Sequence, residues 1–236
     1  MILAADRLAV RLGGAPVLRD VTLSVAAGEV LGVFGPSGAG KSTLFRALAG
    51  EERPFAGRVL LGGEDVTRLP LWQRARRGLG YLPQTPSVLW DLTVAENLAV
   101  FRDLSPRGAR PDLSAVAEAL GLAGRLSVPA GSLSGGERRR LDLARALSAV
   151  PRVLLCDEPF AAIDPIGKGA VTAELRALAE AGCAVLIADH HVAEALCLCH
   201  RAALLLEGEI ALVARPSDFS ADNRVLKHYA PAGPAR

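Results

Sequence analysis

The run Gly35, Pro36, Ser37, Gly38, Ala39, Gly40, Lys41, Ser42, Thr43 satisfies GxxxxGK[ST], a pattern suited to holding phosphates. Glycines let backbone N–H groups turn inward around an anion, and a helix opening at the end of the run adds favourable potential. Lys41 brings a compact charge to the β- and γ-phosphates of a nucleotide, and Ser42 brings a hydroxyl to Mg2+. Far downstream, the apolar stretch Val153, Leu154, Leu155, Cys156 ends in two carboxylates, Asp157 and Glu158. Acids at the carboxyl edge of a buried strand lie where open α/β sheets bind ligands. Asp157 suits the Mg2+ shell, through water, and Glu158 suits orienting and polarising an attacking water. Taken without the phosphate pattern, the same pair reads as solvated turn residues. Between the two motifs lies Leu133, Ser134, Gly135, Gly136, Glu137, where Ser134 is placed to cap a helix and the glycines leave its N-terminus open.

These groups need elements to position them. Short apolar runs at Leu8–Leu12, Val21–Val25, Val30–Phe34 and Val59–Leu61 predict strands, and Leu44, Ala47 and Leu48 predict a helix closed by Gly50. Strand, glycine loop and helix thus occur in the order a phosphate site requires. From about Thr85 to Pro151 the spacing of Val94 and Leu98, of Leu113, Val116, Ala117 and Leu120, and of Leu141, Ala144 and Leu147 predicts a helical lobe, with a loop at Ser105–Pro111. Alternation then resumes: strand Val153–Cys156, helix Gly169–Ala181, strand Ala184–Ala188, helix Val192–Cys199, and strands Ala202–Leu206 and Ile210–Val213. This predicts a parallel α/β sheet interrupted by the helical lobe. The segment Ala230–Arg236 has no periodicity and reads as a loose tail.

Composition narrows the classes. The chain has 236 residues, half of them hydrophobic, and a mean hydropathy of +0.29, yet no apolar run approaches the ~18–20 residues of a spanning helix. Met1–Arg7 has no basic leader, so the expectation is a cytoplasmic protein without direct membrane insertion. A net charge of +2 gives no bulk attraction to nucleic acid or anionic lipid. Of the 27 basic residues only Lys41, Lys168 and Lys227 are lysine, which reads as a compositional bias towards arginine. Cys156, Cys183, Cys197 and Cys199 lack the paired spacing of a zinc site and are expected to be reduced, buried thiols.

The pentapeptide at 133–137, set between the two nucleotide motifs, resembles the LSGG[EQ] signature of the ATP-binding cassette (ABC) ATPases, and the likeness covers nearly the whole chain. The order is complete: phosphate loop, Gln84 after Gly80-Tyr81-Leu82-Pro83, signature, acidic strand, Asp164 in Ala161-Ala162-Ile163-Asp164, and His190 in Ala188-Asp189-His190. The resemblance implies a P-loop (RecA-like) α/β core with an N-terminal antiparallel β subdomain and an inserted α-helical subdomain. Residues 1–84 and 152–229 would form the nucleotide-binding core, 85–151 the helical subdomain and 230–236 the tail of a single domain. It also implies ATP and Mg2+, and a homodimer in which Ser134, Gly135, Gly136 and Glu137 of one copy contact the γ-phosphate bound to the other. Gln84 would sense Mg2+ and the attacking water, Asp164 would contact the opposing site, and His190 would approach the γ-phosphate. From the residues alone, Gln84 also reads as a surface turn residue, Asp164 as a cap before Pro165, and His190 as a helix-start residue. His191 competes with His190.

Within the family, Leu69-Pro70-Leu71, Arg74-Ala75-Arg76-Arg77-Gly78, Glu137-Arg138-Arg139-Arg140, Asp157-Glu158-Pro159-Phe160-Ala161 and Ala188-Asp189-His190-His191-Val192 resemble the ATPase subunit of the lipopolysaccharide-export transporter. That likeness implies a place on the cytoplasmic face of the inner membrane, driving integral permease subunits. Arg138–Arg140 also reads as a solvated face. Branched-chain amino acid importer ATPases share the Asp-His element, and a soluble ABC ATPase of assembly or repair is a further alternative. Two departures stand out. Where the family carries an aromatic residue to stack on adenine, this chain has Arg11-Leu12-Gly13-Gly14; and after Gln84 it has Ser87-Val88-Leu89-Trp90-Asp91 in place of an aromatic followed by basic residues. Leu89 and Trp90 read as an apolar anchor for a helix of the permease, or as core of the helical lobe.

Overall fold

A computed structural model describes residues 1–103, 105, 110–190 and 192–229. In chain order, β1 (Leu3–Leu12) and β2 (Ala15–Val25) form a hairpin, and β3 (Val30–Phe34) leads through the glycine loop into α1 (Lys41–Ala49). There follow β4 (Ala56–Leu61), β5 (Glu64–Asp65), α2 (Leu71–Ala75) and β6 (Leu79–Leu82), then helices α3 (Val94–Asp103), α4 (Leu113–Ala119) and α5 (Gly135–Ser148). The chain continues through β7 (Val153–Asp157), α6 (Pro165–Glu180), β8 (Ala184–Ala188), α7 (Val192–Leu196), β9 (Arg201–Leu206), β10 (Glu209–Ala214), α8 (Pro216–Ala221) and α9 (Asn223–Tyr229).

The strands make two sheets, β2-β1-β4-β5 and β10-β9-β3-β8-β7-β6. The first is antiparallel throughout. In the second, β9, β3, β8, β7 and β6 run parallel, and only the edge strand β10 is antiparallel. The period-2 alternation of the central strands divides the interior. Val30 and Phe34, Leu154 and Cys156, and Val185 and Ile187 face one core, which continues through α6 and α5 into the helical lobe. Leu31 and Val33, Val153 and Leu155, and Leu186 face a second core shared with α1 and the antiparallel sheet. Burial on both faces is why these strands read as unbroken apolar runs. All of their carboxyl ends open on one edge, where the glycine loop, Asp157 and Asp189 emerge.

Several expectations are corrected. The helix expected at Gly169–Ala181 begins at Pro165, because Asp164 accepts the Gly167 N–H at 2.9 Å and Pro165 occupies the first helical position. The helix expected to reach Cys199 stops at Leu196. Cys197 is exposed and Cys199 only partly buried, so burial holds for Cys156 and Cys183 alone. Edge strand β6 and the C-terminal helices were not anticipated. The segment Ala230–Arg236, most of the Ser105–Pro111 loop and His191 lie outside the described residues. Among the described residues, no helix is long and apolar enough to cross a membrane and no cluster of His, Cys, Asp and Glu could hold a metal.

Candidate active site

The glycine loop joins β3 to α1, with the left-handed Gly40 at the N-cap of the helix. Lys41 is buried, and its Nζ donates to the carbonyls of Gly35 (2.7 Å) and Pro36 (3.0 Å), inside the loop it serves. Burial pulls its ammonium below the ordinary lysine range, while Asp157 and Glu158 oppose this. Asp157 ends β7 and is 2% exposed. Burial pushes its carboxyl up, and a hydrogen bond from Ser42, together with the Arg139 and Lys41 charges, opposes the shift. The adjacent Lys41 and Ser42 thus sit together below the loop with Asp157, which is distant in sequence.

Glu158 follows with a left-handed backbone (φ 57°), an uncommon conformation for a non-glycine residue and one that gathers at functional sites. Its N–H donates to Ala188 O at 2.7 Å, tying the end of β7 to that of β8. Its side chain meets two residues expected beside it. Gln84 Nε2 donates to Glu158 Oε1 at 2.8 Å, and His190 Nε2 lies 3.0 Å from the same oxygen. The neighbouring Asp189 is buried and accepts the Phe160 N–H at 3.2 Å, which fixes the turn after Glu158.

Arg139 is a residue whose role the sequence reading missed. As part of Arg138–Arg140 it was open to reading as a solvated face, yet it is 3% exposed. Its guanidinium donates to the carbonyls of Pro83, Asp157 and Glu158. One side chain of α5 therefore fixes the backbone before Gln84 and at both carboxylates. The available signal was its spacing from Asp142 and Leu143, which places it on the buried face of α5.

The signature residues lie apart from this cluster. Ser134 Oγ accepts the Glu137 N–H, and Glu137 accepts the Ser134 N–H at 2.8 Å, a complete capping box at the start of α5. Arg125 Nε donates to Glu137 at 2.8 Å; this bond, then the Ser134 N–H, holds the Glu137 carboxyl at about 2. Ser134 and Gly135 are exposed. A Cβ on Gly136 would lie 2.8 Å from Ala162 O, so the signature packs closely on the turn that leads to exposed Asp164. At Arg11–Gly14 there is no ring, but the Arg11 guanidinium lies 4.2 Å over exposed Phe55. Leu89 and Trp90 are 38% and 50% exposed, and buried Asn97 fixes their loop by bonding the Leu89 N–H and the carbonyls of Leu89, Leu92 and Thr93.

The fold and this site define a class, and comparison with known proteins gives the same one. The family model described as ABC transporter matches residues 18–161, and the chain belongs to that family. It is the ATP-binding, ATP-hydrolysing subunit of an ABC transporter; such subunits dimerise and work with membrane permeases. Among its relatives are the lipopolysaccharide export system ATP-binding protein LptB of Acidithiobacillus ferridurans, 44% identical over 90% of each chain, and that of Escherichia coli strain K12, 39% identical over 96% of each. A probable ABC transporter ATP-binding protein of Azorhizobium caulinodans is 43% identical over 96% of this chain and 82% of its own. Among solved structures, a dimeric ATP-binding cassette in a post-hydrolysis state with ADP and Pi superposes with a TM-score of 0.80 at 26% identity, covering 91% of this chain and 99% of the other.

Proposed function

We propose that this subunit powers the export of lipopolysaccharide from the inner membrane, acting as a homodimer on its cytoplasmic face. The observation that carries the reading is the likeness to LptB, which runs across at least nine-tenths of both chains. In this reading residues 1–84 and 152–229 are the nucleotide-binding core and 85–151 the helical subdomain. The backbone of Gly35–Thr43 cradles the phosphates of ATP, and Lys41 exchanges its loop carbonyls for them. The oxygen donors of Ser42, Asp157 and Gln84 suit Mg2+, a hard cation, which when bound would offset phosphate charge. Glu158 is the general base for the attacking water, His190 approaches the γ-phosphate, and Gln84 senses Mg2+ and the attacking water. Ser134–Glu137 and Asp164 act on the nucleotide held by the second copy. The exposure of Ser134, Gly135 and Asp164 supports that division.

Leu89 and Trp90 would receive a helix of the permease. Their exposure on a loop fixed by Asn97 supports this over a core role. An apolar cleft of about 220 Å³, lined by Leu71, Tyr81, Ser87, Phe101 and Ala146 among others, opens at Ser87, two residues before Leu89, and is lined by neither Leu89 nor Trp90. The deciding experiment is reconstitution with the co-purifying membrane subunits in proteoliposomes. ATP-dependent extraction of lipopolysaccharide supports the proposal. Turnover that answers only to an amino-acid-binding protein supports an importer, and a detergent extract without any permease supports a soluble ATPase; either result overturns the proposal.

A further inference from the structure

The end of the described chain reaches back to the phosphate loop. Helix α8 buries Phe219 against Phe34, the last residue of β3, with ring centroids 5.5 Å apart. Arg224 of α9 donates to Ala211 O of β10 at 2.6 Å, and Val225 is buried in the same core. These contacts bring Tyr229 to the first residue of the glycine loop, where its hydroxyl accepts the Gly35 N–H at 2.5 Å. Gly35 has just left the β3–β9 ladder, whose last register pair is Phe34 with Leu204. A Cβ there would lie 2.2 Å from Leu205 O, so the residue is also closely packed. A partly buried N–H at that point needs an acceptor, and a side chain from α9 provides it.

Gly35 is therefore held from both sides. Its N–H is held by Tyr229 and its carbonyl by Lys41 Nζ at 2.7 Å. When phosphates draw Lys41 away, the second contact is lost and the first remains. We infer that Tyr229 is a positioning residue for nucleotide binding, keeping the phosphate loop in register through Gly35 while Lys41 changes partners. The inference rests on the phosphate-site reading given above. It assigns the C-terminal helices a task in ATP affinity, separate from the chemistry at Glu158.

The test is Tyr229→Phe in the full chain, which removes the hydroxyl and keeps the ring. A hydrogen bond of ordinary net worth corresponds to roughly 2- to 12-fold in affinity. The expected result is a rise of that size in Kd for a fluorescent ATP analogue and in KM, with kcat within about twofold, while Tm falls by no more than the few degrees that one unpaired N–H costs. An unchanged Kd overturns the inference, as does a weakening of binding that vanishes when Kd is measured well below the Tm of the variant. Lys41→Ala, measured in parallel, separates the two levels. If it binds nucleotide as the wild type does, the phosphate-site reading fails and the inference falls with it. If it loses binding while Tyr229→Phe does not, only the inference fails.

Discussion

On the face carrying Lys41, Asp157 and Glu158, the chain satisfies its own reactive groups; on the face carrying Ser134, Gly135 and Asp164, it leaves them in solvent. Lys41 bonds loop carbonyls, Asp157 takes the Ser42 hydroxyl, and Glu158 holds Gln84 and His190 on one oxygen. At the signature the capping box is closed, yet the start of α5 is open to a partner. The first face can bind a nucleotide by exchanging internal contacts. The second, in the function proposed above, serves a nucleotide brought by another copy. In the proposed dimer the two faces of one chain belong to different sites, and Arg139 ties them together. It begins on the signature helix and ends on the backbone of Pro83, Asp157 and Glu158.

The largest expected effect separates chemistry from assembly. Glu158→Gln keeps the shape of the side chain and removes the base, so kcat should fall by about 10²- to 10⁴-fold. Both faces remain able to close on ATP, and an ATP-dependent dimer should accumulate in size-exclusion chromatography. Unchanged turnover would break the assignment of the first face. Gly136→Ala addresses the second. Its Cβ would lie 2.8 Å from Ala162 O, a backbone clash that costs the fold about 1–3 kcal/mol unless the signature shifts away from the turn, so turnover should fall. Equilibrium binding of ATP to the variant should stay within about twofold of wild type. If affinity and turnover fall together, the two faces are not separable in this way.

The sequence carried most of the first face. The glycine loop and the apolar strand ending in Asp157 and Glu158 are local patterns, and each residue's type states its chemistry. Gln84 and His190 needed the order of motifs as well, since nothing local to either indicates Glu158. Helical spacing could have put Arg139 on the buried face of α5, but its partners, like that of Tyr229, were illegible for a different reason. Those partners are backbone groups of Pro83, Asp157, Glu158 and Gly35, and a backbone acceptor or donor leaves no mark in the amino-acid code. The parallel core was legible because strands buried on both faces are continuous apolar runs. Strand β6 and helices α8 and α9 were not, because short elements at an edge have little periodicity to read.

A smaller effect concerns the cap that holds the signature open. Arg125 and the Ser134 N–H keep the Glu137 carboxyl at about 2, against an ordinary 4.5. The folded pKa is the lower one, so the ionised group stabilises the fold above pH 4.5 and loses that contribution as pH falls towards 2. Glu137→Gln lacks it at every pH. A cap is worth ~1 kcal/mol, or about 2–4 °C in Tm for a domain of this size. That gap between wild type and variant should be full at pH 7 and narrow as pH drops below 4.5; a gap constant down to pH 3 would show that charge at Glu137 contributes nothing to the cap.

The smallest expected effect lies at the base edge of the first face, where ATP and GTP differ. Stacking on an aromatic ring is worth ~1–3 kcal/mol per base in nucleic-acid sites, and Arg11-Leu12-Gly13-Gly14 offers no ring. Binding then rests on the phosphate contacts of Gly35–Thr43, which ATP and GTP present identically. Values of kcat/KM for the two nucleotides should therefore agree within about threefold. A tenfold or greater preference for ATP would mean that some group does read the base. The Arg11 guanidinium over exposed Phe55 is the π-surface to test next, since Phe55→Ala should abolish a preference that depends on it and leave untouched one that does not.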